Sequence, residues 1–339
     1  MIFVTGGTGI VGSHLLYRIC SSGKKVRALK RETSSLRIIQ KTFSYYTPNA
    51  AALLNSIEWV TGDVTDIYSL YEAMEGVEQV YHTAAIVSFH ASDKNQMMNV
   101  NVDGTANVVN ACITKGVKKL CHVSSIATLG RADNDGLTDE ETHWKSSKRN
   151  SSYSKSKYGA EREVWRGMAE GLASVIVNPS VIIGPGNWNS GSCQIFQQSW
   201  NGLKFYTDGV NGYVDVNDVA KAMVMLMESD ITNSRFILSS ENIDYRTFFS
   251  WVADGLCKKK PNIKATAFLS QLAWRAEKLK SQMIHSKPLI TKETARTAFQ
   301  KFYYSNEKIK QALGFEFMPM KDSIKQCCEF FLKDKRETA

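Results

Sequence analysis

Short apolar runs alternate with longer stretches of helical periodicity through the first half of the chain. The runs predict five strands, at residues 2–4, 26–29, 57–60, 77–85 and 119–124. Apolar residues that return every three or four positions predict helices at 10–20, 33–56 with a break at Pro48, and 95–115. Consecutive parallel strands need a crossover, which is usually a helix. The alternation therefore predicts an α/β fold with a doubly wound parallel sheet.

A cluster of glycines separates the first strand from the first helix. Gly6, Gly9 and Gly12 are spaced as G-x-x-G-x-x-G, while Gly7, Gly9 and Gly12 give G-x-G-x-x-G. Such a turn directs backbone N–H groups and the positive end of a helix at one point, which suits a pyrophosphate. It predicts a Rossmann dinucleotide site, although a glycine-rich turn without a ligand has the same spacing. The residues predicted to contact the cofactor here are Gly6, Thr8, Gly9, Ile10, Val11 and Gly12.

The end of the second strand distinguishes between the two nicotinamide cofactors. An acidic residue there binds the ribose hydroxyls of NAD, whereas a basic residue attracts the 2′-phosphate of NADP. The strand runs into Lys30-Arg31, with Glu32 one place later. We predict that Arg31, helped by Lys30, binds the phosphate of NADP. In the alternative, both cations are solvated turn charges and Glu32 binds the ribose of NAD.

The third and fourth predicted strands also end in residues that suit a dinucleotide. Asp63, followed by Val64, can accept a hydrogen bond from the adenine amino group. Capping of the next helix is better supplied by Thr65 or Asp66. At the end of the fourth strand, Thr83-Ala84-Ala85 has side chains small enough for a cofactor to lie against.

Two polar residues near these strand ends receive different predictions. His82 is expected to be a core histidine rather than a ligand. Asn101 lies in the otherwise apolar 95–115 helix, where a polar amide is costly unless it is hydrogen-bonded. We therefore expect Asn101 to organise a strand or a water near the site. The polar loop at 130–150 either borders a substrate cleft or is a plain surface excursion.

A tyrosine and a lysine stand four residues apart at the start of a later helix. Tyr153 and Lys157 share one helix face at this spacing. A neighbouring ammonium favours the phenolate, so Lys157 is expected to lower the pKa of Tyr153 and also to donate to the nicotinamide ribose. Ser125 follows the fifth strand and would bond the reacting carbonyl oxygen. Ser124 should point away, because side chains alternate along a strand.

Charge and composition are those of a globular protein with an anionic ligand. The 339 residues are 43% hydrophobic and 22% charged, and 42 basic against 33 acidic residues give a net charge of +9. This charge attracts anions at long range. The run Lys258-Lys259-Lys260 is expected to be a solvated face rather than a nucleic-acid patch.

Cysteine usage and the start of the chain bear on location. The seven cysteines form no C-x-x-C pair, and several lie inside apolar helical or strand patterns where a thiol acts as a small core residue, so a reducing compartment is expected. The chain begins on its first strand, and no apolar run approaches the roughly 18 residues that span a bilayer. We therefore expect a cytoplasmic protein without a transmembrane segment. No metal-binding motif is present in the sequence, and no metal site is predicted.

Taken together, these motifs resemble the extended short-chain dehydrogenase/reductases, also called the NAD-dependent epimerase/dehydratase family. The resemblance covers nearly the whole chain. It is carried by Thr5–Gly12, Gly62-Asp63-Val64, Ser125, Tyr153, Lys157, Asn178-Pro179-Ser180, Gly184-Pro185-Gly186 and Val214–Ala220. It implies hydride transfer, with Ser125 polarising a carbonyl, Tyr153 as acid/base and Lys157 holding ribose. It also implies that Pro179 and Val181 lie along the nicotinamide.

Two stretches favour one branch of that family. Nucleotide-sugar enzymes usually carry an arginine shortly before the segment that resembles Tyr213–Val216, and residues 208–212 contain none. The segments 26–31 and 178–186 look like the dihydroflavonol reductase and hydroxysteroid dehydrogenase-like branch. We predict NADPH-dependent reduction of a ketone or aldehyde on a small, fairly apolar molecule. The alternatives are a nucleotide-sugar epimerase or dehydratase with tightly bound NAD, and a non-catalytic dinucleotide-sensing protein.

The last third of the chain is expected to form a smaller, mostly helical substrate lobe. We assign 1–179 with 211–239 to the dinucleotide-binding domain, and 180–210 with 240–339 to that lobe. The predicted helix at 267–284 has apolar residues at helical spacing, among them Phe268 and Leu272. Core packing is the first interpretation of this helix. A substrate cover, a contact in a possible homodimer or weak membrane-surface binding are the others.

Overall fold

The computed structural model describes residues 1–131, 136–147, 150–283 and 291–337. The strands are β1 (Ile2–Thr5), β2 (Val26–Lys30), β3 (Ile57–Thr61), β4 (Gln79–His82), β5 (Lys119–Val123), β6 (Leu137–Thr138), β7 (Ser174–Pro179), β8 (Val181–Ile183), β9 (Phe205–Tyr206), β10 (Val210–Asp215), β11 (Ser234–Leu238), β12 (Glu241–Asp244), β13 (Ile263–Lys264) and β14 (Tyr303–Tyr304). The helices are α1 (Ile10–Ser21), α2 (Arg37–Tyr46), α3 (Ala50–Asn55), α4 (Ile67–Ala73), α5 (Lys94–Met97), α6 (Gly104–Thr114), α7 (Ser152–Ala169), α8 (Gln194–Trp200), α9 (Val216–Glu228), α10 (Tyr245–Gly255), α11 (Ala267–Met283), α12 (Lys292–Thr297), α13 (Glu307–Leu313) and α14 (Met320–Glu337). A π-helix, Met98–Asp103, joins α5 to α6.

Seven of the strands form one parallel sheet in the order β11-β7-β5-β4-β1-β2-β3. The chain moves outward in one direction from β1 to β2 and β3. It then returns to the other side of β1 and continues through β4, β5, β7 and β11. The predicted doubly wound parallel sheet is confirmed. In such sheets the crevice beyond the carboxyl ends of the strands where the order reverses is the usual ligand site, and here those strands are β1 and β4.

Helices cover both faces of this sheet. On one face, α1 and α9 pack with residues such as Leu16 and Leu226 into the first hydrophobic core. On the other face, α6 and α7 contribute Val109 and Val164 to a second core. Successive side chains of a strand point to opposite faces of the sheet, so the apolar residues of each strand are divided between these two cores.

A third core lies around a smaller sheet of β8, β10 and β12. β10 runs parallel to β8 and antiparallel to β12. The core is aromatic, and the rings of Tyr213 and Phe248 are stacked with centroids 4.2 Å apart. Helices α8, α10 and α14 pack around it. The division of the chain into a dinucleotide-binding domain and a substrate lobe at the boundaries given above stays a prediction.

Element bounds differ from the sequence prediction, most clearly at β4 and in the helix predicted at 95–115, while the helix predicted to begin at residue 33 begins at Arg37. β4 spans Gln79–His82, so the predicted strand at 77–85 was too long at both ends. Its last predicted residues, 83–85, follow the strand without regular secondary structure, and the backbone of Ala84 lies against Gly6. The 95–115 helix is interrupted by the π-helix, which a pattern of apolar spacing does not reveal. The break at Pro48 separates α2 from α3 as expected.

Candidate active site

The glycine turn lies at the carboxyl end of β1, beside the end of β4. Gly6 has a φ of +71°, and a Cβ there would lie 2.5 Å from the backbone nitrogen of Ala84. A Cβ on Gly12 would lie 2.2 Å from the carbonyl oxygen of Gly6. Both positions therefore require glycine, because the backbone is folded tightly against itself.

The amino end of α1 opens at this turn. Gly9 is the N-cap residue, and no side chain caps the helix among the described residues. The N–H group of Gly9 donates to Gly6 O, and helix geometry leaves the N–H groups of Ile10, Val11 and Gly12 without an acceptor inside the helix. A glycine cradle with free backbone donors fits a pyrophosphate.

The end of β4 closes one side of the turn. Thr83 Oγ1 donates to Thr5 O over 2.7 Å, which fixes the strand end against β1. Ala84 then packs on Gly6, and the exposed residue Ala85 continues away from the sheet. The structure thus brings Thr83, Ala84 and Ala85 to the same edge of the sheet as the glycine turn.

The two further cofactor candidates lie at the ends of β2 and β3. Arg31 is exposed, as is Glu32 beside it, and Lys30 is half-buried as the last residue of β2. Asp63 Oδ1 accepts hydrogen bonds from the N–H and the hydroxyl of Thr65. Asp66, not Asp63, caps α4 by accepting from Tyr68 N, so the prediction that capping is supplied elsewhere is confirmed.

Val64 has a packing role in the same turn. Its side chain lies against Gly104, where an added Cβ would be 2.8 Å from Val64 Cγ2. Its carbonyl oxygen accepts from Asn107 Nδ2 over 3.0 Å. The turn after β3 is therefore held by the amino end of α6.

Ser125, Tyr153 and Lys157 come together at the carboxyl end of β5. Ser151 caps α7 and accepts from Ser154 N, so the helix begins immediately before Tyr153. The Ser125 hydroxyl lies beside the Tyr153 phenol and acts to lower its pKa. The buried Lys157 ammonium donates to Val123 O over 2.8 Å. The sequence had placed these three residues within one site, and the structure places them beside one another.

Burial shifts the pKa of both candidate acid/base groups. It raises the pKa of Tyr153 above its ordinary value, and the Ser125 hydroxyl opposes that rise only in part. Burial also lowers the pKa of Lys157 to about 8, against the raising effect of Glu161. The expected lowering of the pKa of Tyr153 by Lys157 was therefore wrong for this structure, because desolvation of the phenolate is the larger effect.

Asn101 has the organising role that its position in a helix predicted. Its Oδ1 accepts from Ile86 N over 2.7 Å, while its Nδ2 donates to Ile86 O and to Ser156 Oγ over 2.9 Å each. It thereby ties the segment that follows β4 to α7. His82 is a buried core histidine, as expected, and its ring nitrogens lie within hydrogen-bond distance of Thr5 Oγ1 and Thr105 Oγ1.

The segment anchored by Asn101 carries apolar side chains beside the catalytic candidates. The ring of Phe89 meets that of Tyr153 edge to face, with centroids 5.7 Å apart. Phe89 is nevertheless 43% exposed, and Val87 two residues earlier is also exposed. Phe89 could not be predicted as part of the site, because no local pattern links a residue after β4 to one on α7.

The end of β7 lies next to Ser125. Asn178 Nδ2 donates to Ser125 O over 3.1 Å, and Pro179 follows as the last residue of the strand. Val181 begins β8 and is half-buried. Ser124 Oγ donates to Glu161, so it faces a different partner from Ser125, as the alternation along the strand predicted. Glu161 is the second residue that could not be predicted as part of the site.

The polar loop at 130–150 is described only in part, since 132–135 and 148–149 lie outside the described residues. Gly130 N donates to Thr142 O over 3.1 Å. Glu140 is buried and accepts from Ile237 N over 2.7 Å. The described part is thus tied to the edge of the large sheet, and its role as a cleft border stays a prediction.

Core packing, the first interpretation of the helix at 267–284, was wrong for two of its residues. On α11, Phe268 is 72% exposed and Leu272 is 48% exposed, so neither packs in a core. The helix packs on α12, where Ser270 Oγ donates to Ala295 O. The other interpretations stay predictions, and Ile284 lies outside the described residues.

The cysteines behave as expected from their apolar surroundings. All seven are free thiols, and the six that are buried are Cys20, Cys112, Cys121, Cys193, Cys327 and Cys328. Across the described ranges, no cluster of three or more His, Cys, Asp or Glu side chains could hold a metal ion. None of the helices in those ranges is long and apolar enough to cross a membrane.

The seven-stranded sheet and its covering helices define a Rossmann-type α/β protein. The chain belongs to the NAD dependent epimerase/dehydratase family, whose model matches residues 2–237. Members of this family are NAD-dependent oxidoreductases and epimerases, so the predicted family and the general type of enzyme are confirmed.

Individual relatives extend the similarity beyond the matched region. A putative dihydroflavonol 4-reductase from Synechocystis sp. is 28% identical, over 97% of this chain and 94% of its own. Sterol demethylase protein B from Methylococcus capsulatus is 27% identical over 79% of this chain and 78% of its own. The crystal structure of gox2253 is 29% identical and superposes with a TM-score of 0.81 over 99% of each chain.

Proposed function

We propose that this protein is an NADPH-dependent reductase of a ketone or aldehyde on a small, fairly apolar molecule. The reduced nicotinamide supplies the hydride for this reaction. Tyr153 Oη donates the proton to the carbonyl oxygen, and Ser125 Oγ donates a hydrogen bond to the same oxygen. Lys157 holds the ribose and balances negative charge that develops at Tyr153.

The position of the Tyr153 phenol beside the Ser125 hydroxyl is the observation that carries this proposal. It places a proton donor and a second hydroxyl at one point beyond the end of β5. Because burial raises the pKa of Tyr153, the phenol holds its proton at neutral pH. A protonated phenol is the form that a reduction requires, since it must donate to the carbonyl oxygen.

The substrate class is supported by the apolar side chains beside Tyr153. Phe89 and Val87 expose apolar surface where a substrate would approach the phenol. An apolar ligand that covers these side chains gains the free energy of removing them from water. Two relatives carry names that refer to polycyclic molecules, a dihydroflavonol and a sterol. A flat, largely apolar carbonyl compound is therefore the proposed substrate.

The cofactor is proposed from the turn after β2. Arg31 and Lys30 offer two cations, and Arg31 is exposed. The glycine turn, Asp63, Val64, Thr83, Ala84, Ala85, Pro179 and Val181 would complete the binding site along the dinucleotide. The rival residue is Glu32, which would favour NAD by accepting from the ribose hydroxyls.

The function is tested by following NADPH absorbance with a panel of aldehydes and ketones that includes flavonoid and steroid ketones. Tyr153→Phe removes the donated proton and is expected to lower kcat by at least about 100-fold while NADPH still binds. Tyr158→Phe is the matched control, since Tyr158 lies on the same helix and stacks on Trp144. Equal rates for wild type and Tyr153→Phe would show that the catalytic assignment is wrong.

The alternative functions give different results in the same experiment. A nucleotide-sugar epimerase or dehydratase would retain NAD through purification and consume no external NADPH. The absence of arginine from residues 208–212 argues against this alternative. A dinucleotide-sensing protein would bind NADPH with no turnover of any compound in the panel.

A further inference from the structure

A buried carboxylate lies between the catalytic candidates and the far strands of the sheet. Glu161 is on α7, one helical turn after Lys157, and is 1% exposed. A buried carboxylate is costly unless hydrogen bonds and an opposite charge compensate it. Its partners therefore indicate why the chain places a charge there.

Five side chains from four parts of the chain converge on this carboxylate. The donors are Ser124 Oγ, Thr128 Oγ1 at 2.6 Å, Asn178 Nδ2 at 2.9 Å, Arg235 Nη1 at 3.0 Å and Trp165 Nε1 at 3.4 Å. Arg235, on β11, supplies the opposite charge and also donates to Glu140 O over 2.9 Å.

Two of these donors also contact the backbone of Ser125, and a third, Ser124, precedes it in the chain. Thr128 Oγ1 lies 2.9 Å and Asn178 Nδ2 lies 3.1 Å from Ser125 O. Side chains that are bonded to Glu161 thus also hold the backbone of Ser125. Because Asn178 lies on β7, its bond to Glu161 holds the end of that strand as well.

Electrostatics connects the same carboxylate to Lys157. The negative charge of Glu161 raises the pKa of Lys157 and opposes the effect of burial. Besides the Tyr153 phenol, two histidines face this ammonium, His82 on β4 and His122 on β5, and burial holds the pKa of each histidine far below its ordinary value. Both are neutral at working pH, so neither replaces the charge of Glu161.

We infer that Glu161 is a positioning residue of the proposed reaction, which holds Ser125 and the end of β7 in place and maintains the charge of Lys157. This role rests on the proposed function, because the geometry that it maintains is that of Ser125, Tyr153 and Lys157. The substrate and the cofactor need not contact Glu161.

The test compares Glu161→Gln with Glu163→Gln. The first keeps the size of the side chain and removes its charge. The second removes a partly exposed charge that pairs with Arg166 on the same helix. We expect Glu161→Gln to lower kcat by on the order of 10-fold, with the KM for NADPH changed by less than about 2-fold. Glu161→Asp, which keeps the charge, should recover part of the lost rate.

A second readout does not depend on activity. In protein labelled with ¹³C-lysine, the Lys157 signal, identified by its loss in Lys157→Arg, reports the titration of that ammonium. Glu161→Gln should move its midpoint down by about one pH unit, while Glu163→Gln leaves it in place. If the wild type reduces no compound of the panel, this titration still tests the electrostatic part of the inference by itself.

Two results would overturn the inference. One is a Glu161→Gln protein that is folded and has wild-type kcat and an unmoved Lys157 titration. The other is a loss of rate that is fully explained by the fraction of Glu161→Gln protein that is unfolded, with the Lys157 titration unchanged. If Glu161→Gln does not fold, Ser124→Ala removes a single donor to the carboxylate and must lower kcat several-fold at constant KM, or the role is refuted.

Discussion

At the scale of single residues, burial shifts Tyr153 and Lys157 toward their neutral forms. The pKa of the phenol is raised and that of the ammonium is lowered to about 8. A neutral tyrosine is the form needed to donate a proton, whereas a neutral lysine no longer balances the phenolate that results. Both groups therefore fail only at high pH, and the reaction is expected to slow above the pKa of Lys157.

This gives a pH dependence for the reduction. Lys157 is charged below about pH 8 and loses its proton above it, so kcat/KM is expected to fall at higher pH with a midpoint near that value. Lys157→Arg keeps a positive charge and should move the fall to higher pH, even if its maximal rate is reduced. Lys155→Arg, at an exposed position of the same helix, is the control. A wild-type profile that stays flat to pH 10 would contradict the expectation.

Cofactor choice is the second question at the scale of single residues. If Arg31 contacts the 2′-phosphate, Arg31→Ala removes a charge-assisted bond worth about 1.5–3 kcal/mol. NADPH binding should weaken by about 10-fold or more, and NADH binding by less than about 2-fold. Lys25→Ala removes an exposed cation from the opposite end of β2 and should change neither affinity. Titration of nucleotide fluorescence measures the six dissociation constants of the wild type and the two variants, and equal losses for NADPH and NADH in Arg31→Ala would refute the phosphate contact.

At the scale of elements, the local parts of the site could be predicted from the sequence and the long-range parts could not. The turn after β1 was predictable because glycines and apolar runs within a dozen residues determine it. Tyr153 and Lys157 share a face because helix geometry requires it. The Glu161 cluster joins α7 to residues near 124, 178 and 235, and no local pattern indicates which buried carboxylate will meet which donor. The π-helix was also missed, because a single wider turn inside a helix is too short to be recognised from apolar spacing.

That π-helix presents Asn101 to two neighbouring segments, which gives a prediction at this scale. Asn101→Leu would leave Ile86 N and Ile86 O without the partner they have in the structure, and would remove the bond to Ser156. The free energy of unfolding is expected to fall by about 3 kcal/mol, because buried polar groups would lose their bonds. Asn99→Leu, at an exposed position of the same π-helix, should change it by less than about 0.5 kcal/mol. Urea denaturation measures both, and equal stabilities of the two variants would contradict the anchoring role.

At the scale of the whole molecule, three buried histidines connect stability to pH. Burial lowers the pKa of His14 to about 4 and that of His82 to about 3, and it holds that of His122 well below its ordinary value. Each stays neutral in the folded protein but takes up a proton near pH 6.5 in the unfolded chain. The free energy of unfolding therefore keeps its full value above about pH 6.5 and decreases as the pH falls below it, because only the unfolded chain takes up these protons. Carboxyl groups with a raised pKa, such as Asp218 at about 6, have the opposite effect over part of this range.

His122 isolates the contribution of one such histidine. It lies between β4 and β7, its ring is 5.1 Å from that of His82, and within the described part of the chain neither of its nitrogens has a hydrogen-bond partner. His122→Leu therefore removes a titrating group without breaking a bond that the structure contains. When the pH falls from 7 to 5, a histidine that stays neutral in the folded protein lowers the free energy of unfolding by about 2 kcal/mol, because the unfolded chain takes up a proton and the folded protein does not. The fall in the free energy of unfolding over that interval should be about 2 kcal/mol smaller in His122→Leu than in the wild type.

The comparison with an exposed histidine decides whether burial is the cause. His143→Leu removes an exposed imidazole and is expected to keep the wild-type dependence on pH. Urea denaturation at pH 5, 6 and 7 gives the slopes for the three proteins, and the carboxyl groups cancel because all three share them. If His122→Leu kept the wild-type slope, His122 would have to be protonated in the folded protein at pH 5. A charged imidazole beside Lys157 would then alter the electrostatics of the active site as well, so the same measurement tests the neutral environment on which the proposed pH dependence of the reduction depends.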